Sequence, residues 1–203
     1  MNARIKFSIL IITMALITAF MPYKHNNPGE LKPSELSKLL PDDKYFISVD
    51  KVARAIAFED TSFQIIDLRN TSEFLESAIP GSVNIPFPDL LNKDFESYFD
   101  QKTIKTILYS NGDVLSAQAW TIFTAVGYQN LFIMKGGMNE WYETVMNSSY
   151  SGERISAKEN ALFEARYKAR KLFIEMNSLP DSLKTKYFNN KKSNRKKLDG
   201  GCG

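Results

Sequence analysis

The stretch Lys105–Gly127, KTILYSNGDVLSAQAWTIFTAVG, decides how the chain is read. Thr106, Ile107, Leu108 and Tyr109 form a short apolar, β-branched run, the pattern of a parallel strand covered on both faces. Ser110 to Ser116 breaks that run, with Asn111-Gly112 as a turn signal. From Ala117 the period changes. Ala119, Trp120, Ile122, Phe123 and Val126 fall at helical spacing, and Gly127 stands where a left-handed C-cap belongs. The loop Ser110, Asn111, Gly112, Asp113, Val114, Leu115 and Ser116 therefore joins the carboxyl end of a central strand to the amino end of a helix. Backbone N–H groups converge there, and open α/β sheets place their sites there, so these seven residues are the candidate anion- or ligand-binding loop.

Two further segments work outward from this loop. Upstream, FQIIDL at Phe63–Leu68 reads as a strand and runs into Arg69, then Glu73-Phe74, and then Ile79-Pro80-Gly81-Ser82-Val83-Asn84-Ile85-Pro86. Downstream, Leu131–Met134 reads as the last strand and is followed by Lys135-Gly136-Gly137-Met138-Asn139-Glu140-Trp141. With the loop, these segments resemble a single rhodanese-like domain from about Phe46 to Val145. In that family the first segment reads Asp-Val-Arg, a Glu shortly after, and Gly-His-Ile-Pro-Gly-Ala-Ile-Asn-Ile-Pro. Ser77 and Ala78 stand here in place of the Gly-His pair. The family loop reads Cys-x-x-Gly-x-Arg-Ser, and its Cys carries a persulfide sulfur between donor and acceptor.

The resemblance places Ser110 at the Cys position and Leu115 at the Arg position in a loop of equal length. An alcohol does not form a persulfide, whereas a thiol of pKa about 8.5 is easily tuned into a nucleophile by such a loop. Leu in place of Arg removes a bidentate anion clamp, and Asp113 adds a negative charge. No catalytic residue is therefore expected at the loop, and no thiosulfate turnover. Asp67, Arg69 and Glu73 are read as loop support through charge-assisted hydrogen bonds, the paired glycines as a tight turn beside the loop, and Trp141 as core.

Composition sets the bounds. A chain of 203 residues with 43% hydrophobic content buries one full core and has too little for two large domains. The formal charge of +3 is small, and Lys184, Lys186, Lys191, Lys192, Arg195, Lys196 and Lys197 concentrate the positive charge at the end. No nucleic-acid partner is expected. The single cysteine, Cys202, excludes an internal disulfide and a cysteine-based metal site. With His25 as the only histidine, no metal and no cofactor is expected.

At the amino end, Arg4 and Lys6 precede a fifteen-residue apolar run, Phe7 to Met21, broken only by Ser8, Thr13 and Thr18. Residues 1–21 read as a signal peptide or, with no Ala-x-Ala site behind them, as an uncleaved signal-anchor. The run spans roughly 22 Å at ~1.5 Å per residue, short of a ~30 Å hydrocarbon core. Either form exports the domain, to a bacterial periplasm or anchored in the inner membrane facing it. Residues 22–44 are a proline-rich linker with at most one short helix at Ser34–Leu40. The domain itself occupies residues 45–150, opening with a strand at Tyr45–Ile47 and with Ser48 as N-cap of a helix bearing Val52, Ala53, Ile56 and Ala57. Pro86 to Asp100 reads as a loop and a short helix. Strands alternating with helices give the fold class: a three-layer α/β domain with a mainly parallel central sheet.

Residues 155–177 form an amphipathic helix, with Ser156 and Glu159 as a capping box and Leu162, Ala165, Ala169, Leu172 and Met176 at spacings of three and four. Docking on the domain and dimerisation both account for that stripe. Residues 178–203 read as a disordered, basic, flexible tail. On a coil of that length Cys202 has a root-mean-square reach on the order of 25–30 Å, the size of the domain.

Three functions follow. The first is an exported module that binds a partner protein or a small sulfur anion in sulfur-compound handling at the envelope, with a sulfur-compound transporter or reductase as the kind of partner. The second is a sulfurtransferase or sulfur carrier that uses Cys202 in place of the loop. The third is a scaffold that contacts the membrane through residues 1–21 and the basic tail.

Overall fold

The structure is a computed structural model that describes residues 41–149 and 156–189, with Arg4, Phe7, Ile12 and Thr13. The signal-like segment apart from those four residues, the linker to residue 40 with its expected helix and His25, and the end of the tail with Cys202 lie outside the described residues. No helix among the described residues is long and apolar enough to cross a membrane.

Five parallel strands form one sheet in the order β1 (Phe46–Ile47), β5 (Leu131–Met134), β4 (Lys105–Tyr109), β2 (Phe63–Asp67) and β3 (Ser82–Asn84). The helices are α1 (Val49–Ala57), α2 (Thr71–Glu76), α3 (Glu96–Phe99), α4 (Asp113–Val126), α5 (Gly137–Trp141) and α6 (Ala157–Asn177). The pleat sends successive side chains to opposite faces. Ile65, Ile107 and Met134 therefore join Val52, Trp141 and Phe173 in one core, beneath α1, α5 and α6. Ile66, Leu108 and Ile133 join Phe99, Trp120 and Phe123 in the other, beneath α3 and α4. The strands are apolar on both faces because each feeds two cores, and the expected three-layer architecture is the observed one.

Several boundaries differ from the sequence expectation. Strand β3 was not anticipated. It is three residues long, with Val83 as its single large apolar residue, and it exists by pairing with β2 at the sheet edge. Ser48 holds the N-cap position of α1 but makes no side-chain cap bond. Helix α4 begins at Asp113, not Ala117, because an acidic side chain is favoured in a first helical turn. The loop proper is thus Ser110–Gly112, and Val114, Leu115 and Ser116 belong to the opening of α4. It ends as expected at Gly127, in the left-handed conformation at φ +106°.

Helix α6 carries the anticipated capping box between Ser156 and Glu159. Its buried stripe is Ala165, Ala169, Phe173 and Met176, while Leu172 is exposed. The stripe faces the domain. Phe173 packs on Trp141 with ring centroids 5.9 Å apart, and Arg166 pairs bidentately with Asp50 of α1 at 2.7 and 2.9 Å. Asn177 exchanges hydrogen bonds with the backbone of Ala78, donating to its carbonyl at 3.0 Å and accepting its N–H at 2.9 Å.

The expectation of a flexible tail from residue 178 fails for its first part. Residues 181–189 form a helix, α7. Phe188 packs on Phe74 in a tilted arrangement with centroids 4.4 Å apart, and Lys184, 6% exposed, donates to the Leu75 carbonyl at 3.0 Å. Read as one of a run of solvated cations, Lys184 instead satisfies a carbonyl near the carboxyl end of α2, where a positive charge also suits the helix dipole. Phe188→Ala is expected to lower stability by about 2 kcal/mol, the transfer value of a largely buried Phe. A urea unfolding curve superimposable on wild type would disprove that α7 is docked in solution.

Candidate functional site

The tip of β4 lies mid-sheet, between β2 and β5, so the Ser110 loop emerges at the carboxyl ends of the strands. The turn that precedes α5 fixes it. Met138 N–H donates to the Ser110 carbonyl at 2.8 Å and Asn139 N–H to the Asn111 carbonyl at 3.1 Å. These bonds need close backbone contact. Gly137 adopts φ +57°, and a Cβ placed there would lie 2.4 Å from the Ser110 carbonyl oxygen. Gly136 is also left-handed, at φ +72°. On the α4 side, Asp113 Oδ1 accepts the Gly136 N–H at 2.6 Å, so its carboxylate is tied to the glycine turn.

The Ser110 side chain is 3% exposed. Its hydroxyl donates to the Gly112 carbonyl at 2.6 Å and accepts from the Ser116 hydroxyl at 3.2 Å. Asn111 donates to Glu73 Oε1 at 2.7 Å, and Glu73 completes a capping box with Asn70 at the start of α2. Glu73 therefore does support the loop directly, through one hydrogen bond.

Asp67 and Arg69 act one layer deeper. Asp67 is fully buried and Arg69 is 5% exposed; the guanidinium meets the carboxylate at 2.6 and 3.1 Å and donates to the Ser77 carbonyl at 2.6 Å. It also lies 5.6 Å from the centre of the Tyr109 ring. Burial opposes the Arg69 charge, but the Asp67 carboxylate outweighs it and holds the guanidinium above its ordinary range. Burial pushes the Tyr109 phenol well up, and its hydroxyl bonds to Ser82 Oγ and to the Ile79 N–H, both at 3.2 Å. Asp67, Arg69 and Tyr109 thus brace the crossing from β2 to α2 and β3.

A cleft of about 730 Å³ opens above the loop. The loop residues Ser110, Asn111 and Gly112, the α4 residues Val114 and Leu115, and the supports Arg69 and Glu73 line it; Asp113, Ser116 and Asp67 stand behind. Its far wall, Leu68, Pro86, Phe87 and Pro88, was not singled out as site by the sequence reading. The signal was present, since Phe87-Pro88 directly continues the motif that ends at Pro86. Among the described residues the Ser110 hydroxyl has no hydrogen-bonded base: its partners are a carbonyl and a second alcohol. Among the described residues no group of three or more His, Cys, Asp or Glu side chains assembles as a metal site.

This architecture, a parallel five-stranded sheet with a glycine-braced loop at the tip of its middle strand, is that of a rhodanese-like domain. Residues 48–144 match the Rhodanese-like domain family, and the chain carries such a domain. A protein of Buchnera aphidicola described as uncharacterised is 32% identical over 100 residues, 47% of this chain and 66% of that protein. The thiosulfate:glutathione sulfurtransferase of Saccharomyces cerevisiae is 26% identical over 118 residues, 53% of this chain and 81% of the yeast protein. Among solved structures, a rhodanese-like domain from Anabaena sp. is 20% identical over 56% of this chain and 92% of its own, with a TM-score of 0.43. A rhodanese-related protein from Thermoplasma volcanium is 23% identical over 48% and 89%, with a TM-score of 0.39.

Proposed function

We propose that this chain is an exported binding or accessory module in sulfur-compound handling at the cell envelope, and that its own loop transfers no sulfur. The rhodanese-like domain points to a sulfur-related or accessory role. The non-catalytic part rests on one observation. The Ser110 alcohol, which the resemblance sets at the position of the family's sulfur-carrying thiol, is held between the Gly112 carbonyl and the Ser116 hydroxyl. An alcohol without a base has neither the acidity nor the polarisable sulfur that persulfide chemistry requires. Export is the reading of Arg4, Lys6 and the apolar run behind them.

Similarity to the yeast thiosulfate:glutathione sulfurtransferase makes thiosulfate the compound to test. Cyanide-dependent thiocyanate formation from thiosulfate is expected at background for the full chain, and Ser110→Cys is expected to raise sulfane-sulfur loading above it. Thiocyanate formation by the wild type would overturn the proposal. Its persistence in Cys202→Ala would place transfer at the loop, and its loss would place the sulfur on the terminal thiol.

A further inference from the structure

The cleft above Ser110 holds charges of the wrong sign for an anion. The amino end of α4 favours a negative group. That group is already supplied from within the chain, because Asp113 stands in the first turn and its carboxylate is fixed there by the Gly136 N–H at 2.6 Å. The cleft wall itself carries a carboxylate, Glu73. It accepts hydrogen bonds from the Asn111 side chain at 2.7 Å and the Asn70 N–H at 3.3 Å, both neutral donors, so that no Lys or Arg among the described residues neutralises it. Among the residues lining the cleft the one cation is Arg69, and its guanidinium is buried, facing Asp67 and the Ser77 carbonyl. An incoming anion thus meets the Glu73 carboxylate on the cleft wall and a single guanidinium already paired with Asp67.

The remaining walls are apolar. Leu68, Leu115, Pro86 and Phe87 line the interior, and Val114, 73% exposed, stands on the rim. A concave apolar surface of this size that continues onto an exposed aliphatic residue is the form of a recognition site. A small free cation would leave Val114 uncovered, whereas a chain running on past the cleft covers it.

We infer that the cleft receives a peptide segment of a partner protein that sets an aliphatic side chain against Leu115 and Phe87 and a Lys or Arg beside Glu73. This deepens the binding-module reading and rests on it. Exchanging the attractive contact with Glu73 for a repulsive one changes affinity by about tenfold.

The test is an amide-resolved NMR titration of the ¹⁵N-labelled full chain with three probes: acetyl-Lys-Leu-Lys-amide, acetyl-Glu-Leu-Glu-amide and sodium thiosulfate. The basic peptide is expected to shift the amides of Phe87, Asn111, Val114 and Leu115, with an affinity about tenfold above that of the acidic peptide and falling as salt is added. Glu73→Gln keeps an acceptor for Asn111 and removes the charge, so it should abolish most of that preference. Equal affinity for the two peptides, or no shift of these amides by the basic one, overturns the inference. So do stronger shifts by thiosulfate, which would still leave the non-catalytic reading standing; thiocyanate formation at the loop would instead remove that reading.

Discussion

Arg69→Met is expected to lower the stability of the domain by about 3–5 kcal/mol at neutral pH, the largest loss for any single substitution considered. Asp67 is fully buried, and the guanidinium of Arg69 supplies its charge-assisted hydrogen bonds at 2.6 and 3.1 Å. Methionine replaces the bulk but leaves a carboxylate in a low-dielectric interior, where it ionises only at a high free-energy cost. The sign of the pH dependence follows. Burial already pushes the Asp67 carboxyl above its ordinary value, against the lowering influence of Arg69. Removing Arg69 pushes it further, so protonated Asp67 becomes the favoured native form. Folding in the variant then weakens as pH rises above about 4, where the unfolded carboxyl ionises, and the deficit grows until the folded pKa is passed. Urea unfolding at pH 4 and pH 7 checks this, with the smaller deficit expected at pH 4. Adding Asp67→Asn keeps an acceptor for the Arg69 backbone N–H and should recover part of the loss at pH 7. A deficit of equal size at both pH values would mean that packing, not the orphaned carboxylate, is responsible.

Gly137→Ala is expected to follow, at about 3 kcal/mol. A left-handed backbone strains an L-residue by about 1–2 kcal/mol. The added Cβ would also sit 2.4 Å from the Ser110 carbonyl oxygen and 2.9 Å from the Asn111 carbonyl. Both atoms belong to backbone, so relief requires the loop and the α5 turn to separate, a rearrangement of the overpacking kind at about 1–3 kcal/mol. The Met138-to-Ser110 and Asn139-to-Asn111 hydrogen bonds would lengthen with it. Gly112→Ala is the control. A Cβ there meets nothing within 4 Å, the backbone is extended at φ −142°, and the change should stay within about 1 kcal/mol of wild type. Equal effects of the two substitutions in chemical denaturation would show that the carbonyl contact does not hold the loop.

Most of the fold could be read in the chain because each buried strand has apolar residues on both faces. Ile65-Ile66, Ile107-Leu108 and Ile133-Met134 leave no other satisfactory placement than a sheet between two layers. The capping box at Ser156 and Glu159 and the left-handed Gly127 were equally plain, since caps are local in sequence. The misses share a cause. Strand β3 and helix α7 have little pattern of their own and exist by docking, β3 along β2 and α7 through Phe188 on Phe74. Lys184 shows it most clearly. By type and neighbours it belongs to a solvated basic run, yet it is buried against a carbonyl more than a hundred residues away in the chain.

The site divides the same way. Sequence alone identified the Ser110 loop, its glycine partners and the supporting Asp67, Arg69 and Glu73, because residue type and order carry that information: an alcohol is an alcohol in any fold. The direction of each charge was beyond it. Asp113 read as an added negative charge in the loop, and only the folded chain ties its carboxylate to Gly136; Arg69 read as loop support through charge-assisted hydrogen bonds, and only the folded chain shows that it braces Asp67 and the Ser77 carbonyl, one layer below the loop. Local chemistry is written residue by residue, whereas the field inside a cleft is a sum over groups brought together by long-range packing, and so the tertiary structure alone decided how the charges around this cleft are arranged.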